Sequence, residues 1–361
     1  MKNNTPEEKR LGDKENSRCK ILMITPFHKL TRGNAVTASR ICAGMAKKGW
    51  DIDFYSLEQP QEEQNLASWE NPGAYGMIHG FHALYMSKIF TTDQDLKQLP
   101  LLLTMTGTDL YSLRLEKDHK MIGAMLDLAA AITVFNADYL SFLQQTCPQW
   151  GEKTVLIPQG VALQDGRALT REDIGVAEKD FVFILPSGLR AIKNIDMAAD
   201  GIEILQKRGY KAKLIVAGPT IEPDYAAHII GRFDLNPDII YLGSIEHADM
   251  KALLLLADVV INCSQAEGQP QAALEAMSLG KPCILTAVPG NLNIIENYRE
   301  GIYVRDGKEL ASAMEFYLKE PEQLKTMGIA AQELIAKQFT AEAEMNLYNK
   351  LYQSIVKQSL Q

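Results

Sequence analysis

Twelve short apolar runs, rich in β-branched residues, alternate along this chain with longer stretches whose apolar positions recur at helical spacing. The first six are KILMIT (20–25), DIDFYS (51–56), MIH (77–79), LLLTM (101–105), AITVF (131–135) and TVLIP (154–158). A second series holds FVFILPS (181–187), KLIVAG (213–218), IIYLG (239–243), DVVINCS (258–264), KPCILT (281–286) and GIYV (301–304). Strands that alternate with helices pair in parallel and bury both sheet faces, so the pattern predicts α/β construction. The turn-rich, charged stretch from Ile157 to Asp180 separates the two series and predicts a linker.

The resulting organisation is a tail over 1–18, a first domain over 19–175, a second over 176–338 and a terminal segment over 339–361. That last segment carries Met345, Leu347, Tyr348, Leu351, Tyr352 and Ile355 at helical spacing. It reads either as a cap on the second domain or as a helix crossing back onto the first. Two doubly wound, Rossmann-like domains would bring the carboxyl ends of both sheets to a central cleft, where open parallel sheets bind ligands.

Composition narrows the function classes. The 361 residues suffice for two cores, and 46% apolar with 23% charged residues is an ordinary globular balance. A net charge of −8 argues against a nucleic-acid partner. No run approaches an integral membrane segment, and MKNNTPEEKRLGDKENSR lacks the apolar stretch of a signal peptide. Five scattered cysteines, Cys19, Cys42, Cys147, Cys263 and Cys283, form no C-x-x-C pair and read as reduced thiols of a cytoplasmic protein.

The most informative segment is SQAEGQPQAALEAMSLGKPCIL (264–285). A strand ends at Ser264, a short loop carries Glu267, and a helix starts around Pro270, since proline fits the first helical turn. Seven residues separate Glu267 from Glu275. Taken alone, the pair reads as two solvated carboxylates near a helix N-terminus. A Glu-Gly-x-Pro loop directly after a parallel strand instead suits close approach of backbone to a ligand.

This segment resembles the Glu-x7-Glu signature of the family 4 retaining glycosyltransferases, which have the two-domain GT-B fold. Gln271 stands where that family usually has Asn. The resemblance implies that Glu267 contacts donor-sugar hydroxyls and that Glu275 holds the nucleotide ribose through both carboxylate oxygens. It also implies that the backbone around Gly268, Gln269, Pro270 and Gln271 approaches the sugar and distal phosphate at a helix N-terminus. In LPSGLRAIKN (185–194), Arg190 and Lys193 become the cations for a diphosphate leaving group, against the plainer reading of two surface cations at a helix start. The family usually has G-R-L with the lysine five residues after the arginine, whereas here the order is G-L-R and the spacing three. Gly243 and Ile245 correspond to the nucleobase pocket, or else serve as turn and core residues. Gly290, in PGNLNIIE, comes near the sugar or sits in an ordinary β–α turn.

In the first half, Gly33 and Asn34 permit a tight loop before a helix; the resembling family often has Gly-Gly there, facing the diphosphate. Thr37, Ser39 and Arg40 either face the cleft or cap and solvate that helix. His79 and His82 follow a strand without further metal ligands at suitable spacing. Gly107, Thr108 and Asp109 sit at another strand tip, where Asp109 and His82 are candidates for acceptor or sugar hydroxyls and Asp109 or Thr108 is equally a helix cap. The D-x-D patterns Asp51/Asp53 and Asp93/Asp95 are explained by strand alternation and by a polar connection, so no metal or other cofactor is expected. GNAVTASR, TGTDLY and LPSGLRAIK resemble the branch with selenosugar synthases and glycosyltransferase-1-domain-containing proteins.

The expected function is therefore retaining, metal-independent sugar transfer from a nucleotide-sugar to a small-molecule, glycan or lipid-linked acceptor. UDP is preferred as the commonest donor nucleotide of the resembling family. Rivals are a nucleotide-sugar epimerase and a catalytically silent nucleotide-sugar-binding module of the same fold. An NAD-dependent dehydrogenase shares the strand pattern, but no G-x-G-x-x-G follows the first strand. The oligomeric state is left open, a homo-oligomer included.

Overall fold

Alternation within each apolar run decides which layer its side chains enter. In β1 (Lys20–Thr25), Leu22 and Ile24 join one core layer while Ile21 and Met23 join another. The computed structural model describes residues 19–27, 33–58, 72–92 and 95–359; the expected tail and Asp93 lie outside them. The chain divides into two compact units, one ending at Pro158 and resumed from Glu342, the other spanning Gln159–Ala341.

The first unit is built on β1, β2 (Asp51–Ser56), β3 (Tyr75–Phe81), β4 (Leu101–Thr104), β5 (Ala131–Val134) and β6 (Thr154–Leu156). They form a parallel sheet in the order β2-β1-β3-β4-β5-β6. One face is covered by the helix Gly33–Lys47 and by the terminal helix Ala341–Ser359, whose Met345, Tyr348, Tyr352 and Ile355 pack with Ala38, Ile41 and Met45. Gly44 lets the two helices touch, because a Cβ there would lie 2.2 Å from the Met345 sulfur.

Polar contacts fix the register of the terminal helix. Arg40 makes a two-pronged contact with the buried Glu344, 2.9 Å on each arm, and the Trp50 indole N–H donates to Asn349 Oδ1 at 2.8 Å. Arg40 is thus held in an ion pair with the terminal helix.

Beneath the helix, His79 is fully buried, with Tyr352 Oη 2.6 Å from Nδ1 and Thr104 Oγ1 2.7 Å from Nε2. Both ring nitrogens are satisfied by hydroxyls, and burial pushes the imidazole pKa down to about 3. Between about pH 6.5 and pH 3 the unfolded chain binds a proton that the folded His79 does not, so stability falls as pH falls, by at most about 1.4 kcal/mol per pH unit. Urea unfolding at pH 7 and pH 5 is expected to show this loss in the wild type, and a smaller one in His79→Gln.

The second unit repeats the plan with β7 (Val182–Pro186), β8 (Lys213–Ala217), β9 (Ile239–Tyr241), β10 (Val259–Asn262), β11 (Cys283–Thr286) and β12 (Gly301–Val304), in the order β12-β11-β10-β7-β8-β9. Every pairing is parallel. From β7 the chain winds one way through β8 and β9; β10 starts the other half on β7's opposite side. The β7/β10 junction is thus the reversal point at which open α/β sheets take ligands.

The division after Pro158 corrects the boundary placed near residue 175. Residues 159–176, irregular apart from one 3-10 turn at Glu172–Ile174, belong to the second unit: Ile174 and Val176 are in its core, and Val161 bridges Thr340. Arg171 donates to the carbonyls of Ala177, Glu178, Asp180 and Leu256 and pairs with Asp258. Turn-rich composition here marks a strap held down by side chains.

Candidate active site

The loop after β7 places the first cations. Leu189 N–H donates to Pro219 and the Ala191 N–H to Glu222, which ties Ser187–Ala191 to the loop after β8. A single turn, Ala191–Lys193, follows. Asn194 then adopts the left-handed conformation (φ 48°), tolerable for Asn, to start the helix Ile195–Lys207. Lys193 is thereby aimed across to the loop after β10, and the Gln265 N–H donates to Ile192 O to lock the two loops together.

Lys193 Nζ lies 2.5 Å from Glu267 Oε1, with both side chains mostly buried. The same oxygen accepts from Ser264 Oγ at 2.6 Å and from Asn262 Nδ2 at 3.0 Å. Burial opposes ionisation of Glu267, but the Lys193 charge and the hydrogen bonds from Lys193, Ser264 and Asn262 outweigh it and hold the carboxyl below its ordinary value. For Lys193, burial lowers the ammonium pKa and the nearby Arg190 charge adds to this, with Glu267 opposing both. Arg190 Nε is buried with no hydrogen-bond partner. The structure therefore brings Arg190, Lys193 and Glu267 together at the β7/β10 reversal point.

Behind Glu267 is a polar framework that the sequence reading missed. Asn262 Oδ1 accepts from Asn291 Nδ2 at 3.1 Å; Asn291 also donates to Thr286, and Thr286 Oγ1 to the Ser264 carbonyl. Only their positions at or after the carboxyl ends of β10 and β11 could have flagged Asn262, Ser264 and Asn291. Gly290 is required here: its φ is +91°, and a Cβ would fall 1.8 Å from the Glu267 carbonyl oxygen.

Gly268, Gln269 and Pro270 are buried. Gln269 Oε1 accepts the Gln159 N–H at 2.7 Å, and its Nε2 has no hydrogen-bond partner. The helix Gln271–Ser278 begins one residue after Pro270. Gln271 Nε2 donates to the Gly160 carbonyl at 3.2 Å and lies 3.4 Å from Glu275 Oε1. Gln271 is one methylene longer than the family's usual Asn, and it spends that length on Gly160. Glu275 is itself buried, and His247 Nε2, which the sequence reading overlooked, is 3.6 Å from its Oε1. Gly243 turns the chain at φ +72° just before that histidine, and Ile245 is half-buried against the core.

The first-unit candidates divide differently. His82 is a non-glycine residue in the left-handed region (φ 69°), turning the chain directly from β3 into the helix Ala83–Thr92. Its Nε2 is 3.0 Å from Thr108 Oγ1, while Nδ1 is buried without a hydrogen-bond partner, 3.9 Å from Asp109 Oδ2. Such strain gathers at functional sites. Asp109 is fully buried. Its Oδ1 accepts the N–H groups of Thr106, Gly107 and Leu110 and its Oδ2 that of Ala83, each at 3.0 Å. The carboxylate braces two helix starts and His82 rather than offering itself to an acceptor. Gly33 and Asn34 are the first residues of a helix, not a tight loop; Gly33 is exposed, with nothing within 4 Å of an added Cβ. Asp53 accepts from Lys20 and Tyr75 within the sheet. Among the described residues no cluster of three or more His, Cys, Asp or Glu is arranged to hold a metal ion, and no helix is long and apolar enough to cross a membrane.

Comparison with known proteins puts this geometry in context. Residues 167–334 match the family model "Glycosyl transferases group 1". The chain is 22% identical over 342 residues to Glycosyltransferase 1 domain-containing protein 1 of Xenopus tropicalis, covering 92% of this chain and 97% of the relative. It is 25% identical over 190 residues to the N-acetyl-alpha-D-glucosaminyl L-malate synthase of Bacillus anthracis, covering 52% of this chain and 49% of the relative. Among solved structures, the sucrose-phosphate synthase of Thermosynechococcus elongatus aligns with a TM-score of 0.78 at 18% identity, over 94% of this chain and 99% of that one. Anabaena HepE in complex with UDP-glucose aligns with a TM-score of 0.76 at 18% identity, over 93% and 99% respectively.

Proposed function

We propose that this chain, a glycosyltransferase of the GT-B fold with a group 1 domain at residues 167–334, moves a sugar from a UDP-sugar to a small-molecule, glycan or lipid-linked acceptor, with retention of configuration and without a metal. The observation that carries the reading is the Lys193–Glu267 contact at the reversal point of the second sheet. A diphosphate leaving group gains negative charge as the glycosidic bond breaks, and fixed cations in a water-poor site stabilise it with little reorganisation. Lys193 supplies the point charge and Arg190 the fork, its Nε buried and unpartnered. Glu267 keeps Lys193 charged and presents its remaining carboxylate oxygen to sugar hydroxyls.

On this reading Glu275 takes the ribose, while the N–H groups at the start of the helix Gln271–Ser278 face the distal phosphate. Gly243 and Ile245 border the base, and Gly290 allows the backbone behind Glu267 to close up. The acceptor attacks the face the diphosphate leaves, and a donor phosphate oxygen takes the acceptor proton. Protein catalysis is then orientation and charge stabilisation. Two neighbours bear on the donor: HepE was solved with UDP-glucose, and the pneumococcal GtfA with UDP and GlcNAc.

The test is a panel of UDP-, GDP- and ADP-sugars with candidate acceptors, assayed for nucleotide release in excess EDTA, with product anomers read by proton NMR. The expected result is donor-selective release, undiminished by EDTA, and an axial product from an axially linked donor. Release that requires added divalent metal, or an inverted product, would overturn the metal-free or the retaining part of the proposal.

A further inference from the structure

We propose that His247 is a positioning residue for Glu275, setting that carboxylate to receive the two ribose hydroxyls of the nucleotide. The inference rests on the reading of Glu275 as the ribose-holding group. His247 Nε2 is buried with no hydrogen-bond partner, and 3.6 Å from Glu275 Oε1 it stands just beyond hydrogen-bond reach. A buried ring nitrogen, donor or acceptor, is rarely left without a partner, because that costs the desolvation of the group. Glu275 shows the matching deficit. Oε1 has only the long 3.4 Å contact from Gln271, and no described residue donates to Oε2.

A vicinal diol brings two O–H donors, one for each carboxylate oxygen. Chelation works only if the carboxylate plane is fixed, and a third donor on the flank of Oε1 fixes it. A small rotation of the imidazole closes the gap, so the His–Glu bond completes as the diol arrives.

The fold does not need this contact. The turn that carries His247 is already clamped from behind: Asp249 accepts both the Arg167 backbone N–H and its guanidinium at 2.9 Å, and Lys251 pairs with Asp165 at 2.6 Å. Gly166 lies so close that a Cβ would come within 2.3 Å of the Ala248 carbonyl oxygen. On the other side, Leu274, Ala276 and Met277 anchor the helix of Glu275 in the core. What remains for the His247 side chain is the carboxylate in front of it.

The experiment is a titration-calorimetry cycle. UDP and 2′-deoxy-UDP are bound to the wild type, His247→Ala, His247→Gln and Glu275→Ala, with ADP and GDP as parallel probes and melting curves to confirm folding. His247→Ala is expected to weaken UDP about tenfold, the worth of one hydrogen bond to a charged group, and 2′-deoxy-UDP less than twofold. His247→Gln, which retains an N–H donor, restores most of the UDP affinity; in turnover His247→Ala raises KM with kcat nearly unchanged. Equal weakening of both nucleotides, or none, would overturn the role of His247. Glu275→Ala separates the two readings. If it loses the preference for UDP over 2′-deoxy-UDP while His247→Ala keeps it, the inference alone fails. If Glu275→Ala keeps the preference, or if no nucleotide binds the wild type, the ribose reading fails and takes the inference with it.

Discussion

Lys193→Ala is expected to lower kcat by about 10²–10³-fold while changing donor KM far less, as for loss of one preorganised group that stabilises charge developing in the transition state. The magnitude follows from placement. Lys193 is held by Glu267 at 2.5 Å, with Ser264 and Asn262 completing the shell of that carboxylate, so its charge is oriented before the donor arrives. Lys193→Arg should recover only part of the rate, because a planar fork cannot occupy a point-charge site of that geometry. Glu267→Gln gives the complementary result. It leaves Lys193 buried beside Arg190 with no counter-charge, so its pKa, already lowered by burial, drops further and the charged fraction falls at alkaline pH first. Steady-state kinetics across pH 6–9 on the three variants checks this. A Lys193→Ala enzyme within threefold of wild-type kcat would remove Lys193 from the chemistry.

Asp109→Ala is expected to be the most damaging change in the first unit, at about 3 kcal/mol or more. Four backbone N–H groups lose their acceptor at once inside a fully buried site. It also frees His82 from the turn that holds it in the left-handed region. Asp109→Asn should cost less, since an amide oxygen can still serve Thr106, Gly107 and Leu110 while its NH₂ confronts only the Ala83 N–H. Urea unfolding followed by circular dichroism measures both. Near-wild-type stability of the alanine variant would contradict the assignment of Asp109 as a brace.

Strands were the most legible feature because period-two and β-branched signals are local. VFILP and VVIN announce buried parallel strands without reference to anything else in the chain. Glu267 and Glu275 were legible because loop, proline and helix surround them in a fixed local order. What depends on distant partners was not. Asp109 read as either a tip residue or a helix cap until four N–H groups from two segments converged on it, and Arg40 as a cleft or helix-solvating residue until Glu344 arrived from 304 residues away. The stretch 159–176 has the composition of a linker, yet Arg171, Ile174 and Val176 bind it to the second unit. His247 had no signal, since a single histidine in a turn acquires meaning only from the buried carboxylate opposite. Gly33 shows the converse error, a glycine whose backbone needs no special conformation.

The central claim is that the second unit holds a nucleotide-sugar through the segment Glu267–Glu275. Nucleotide release from the preferred donor, measured side by side for the wild type and Glu275→Ala at equal melting temperature, tests it most directly. The account predicts acceptor-stimulated release by the wild type and a loss of at least tenfold in kcat/KM for Glu275→Ala. Unchanged kcat/KM in that variant would contradict it.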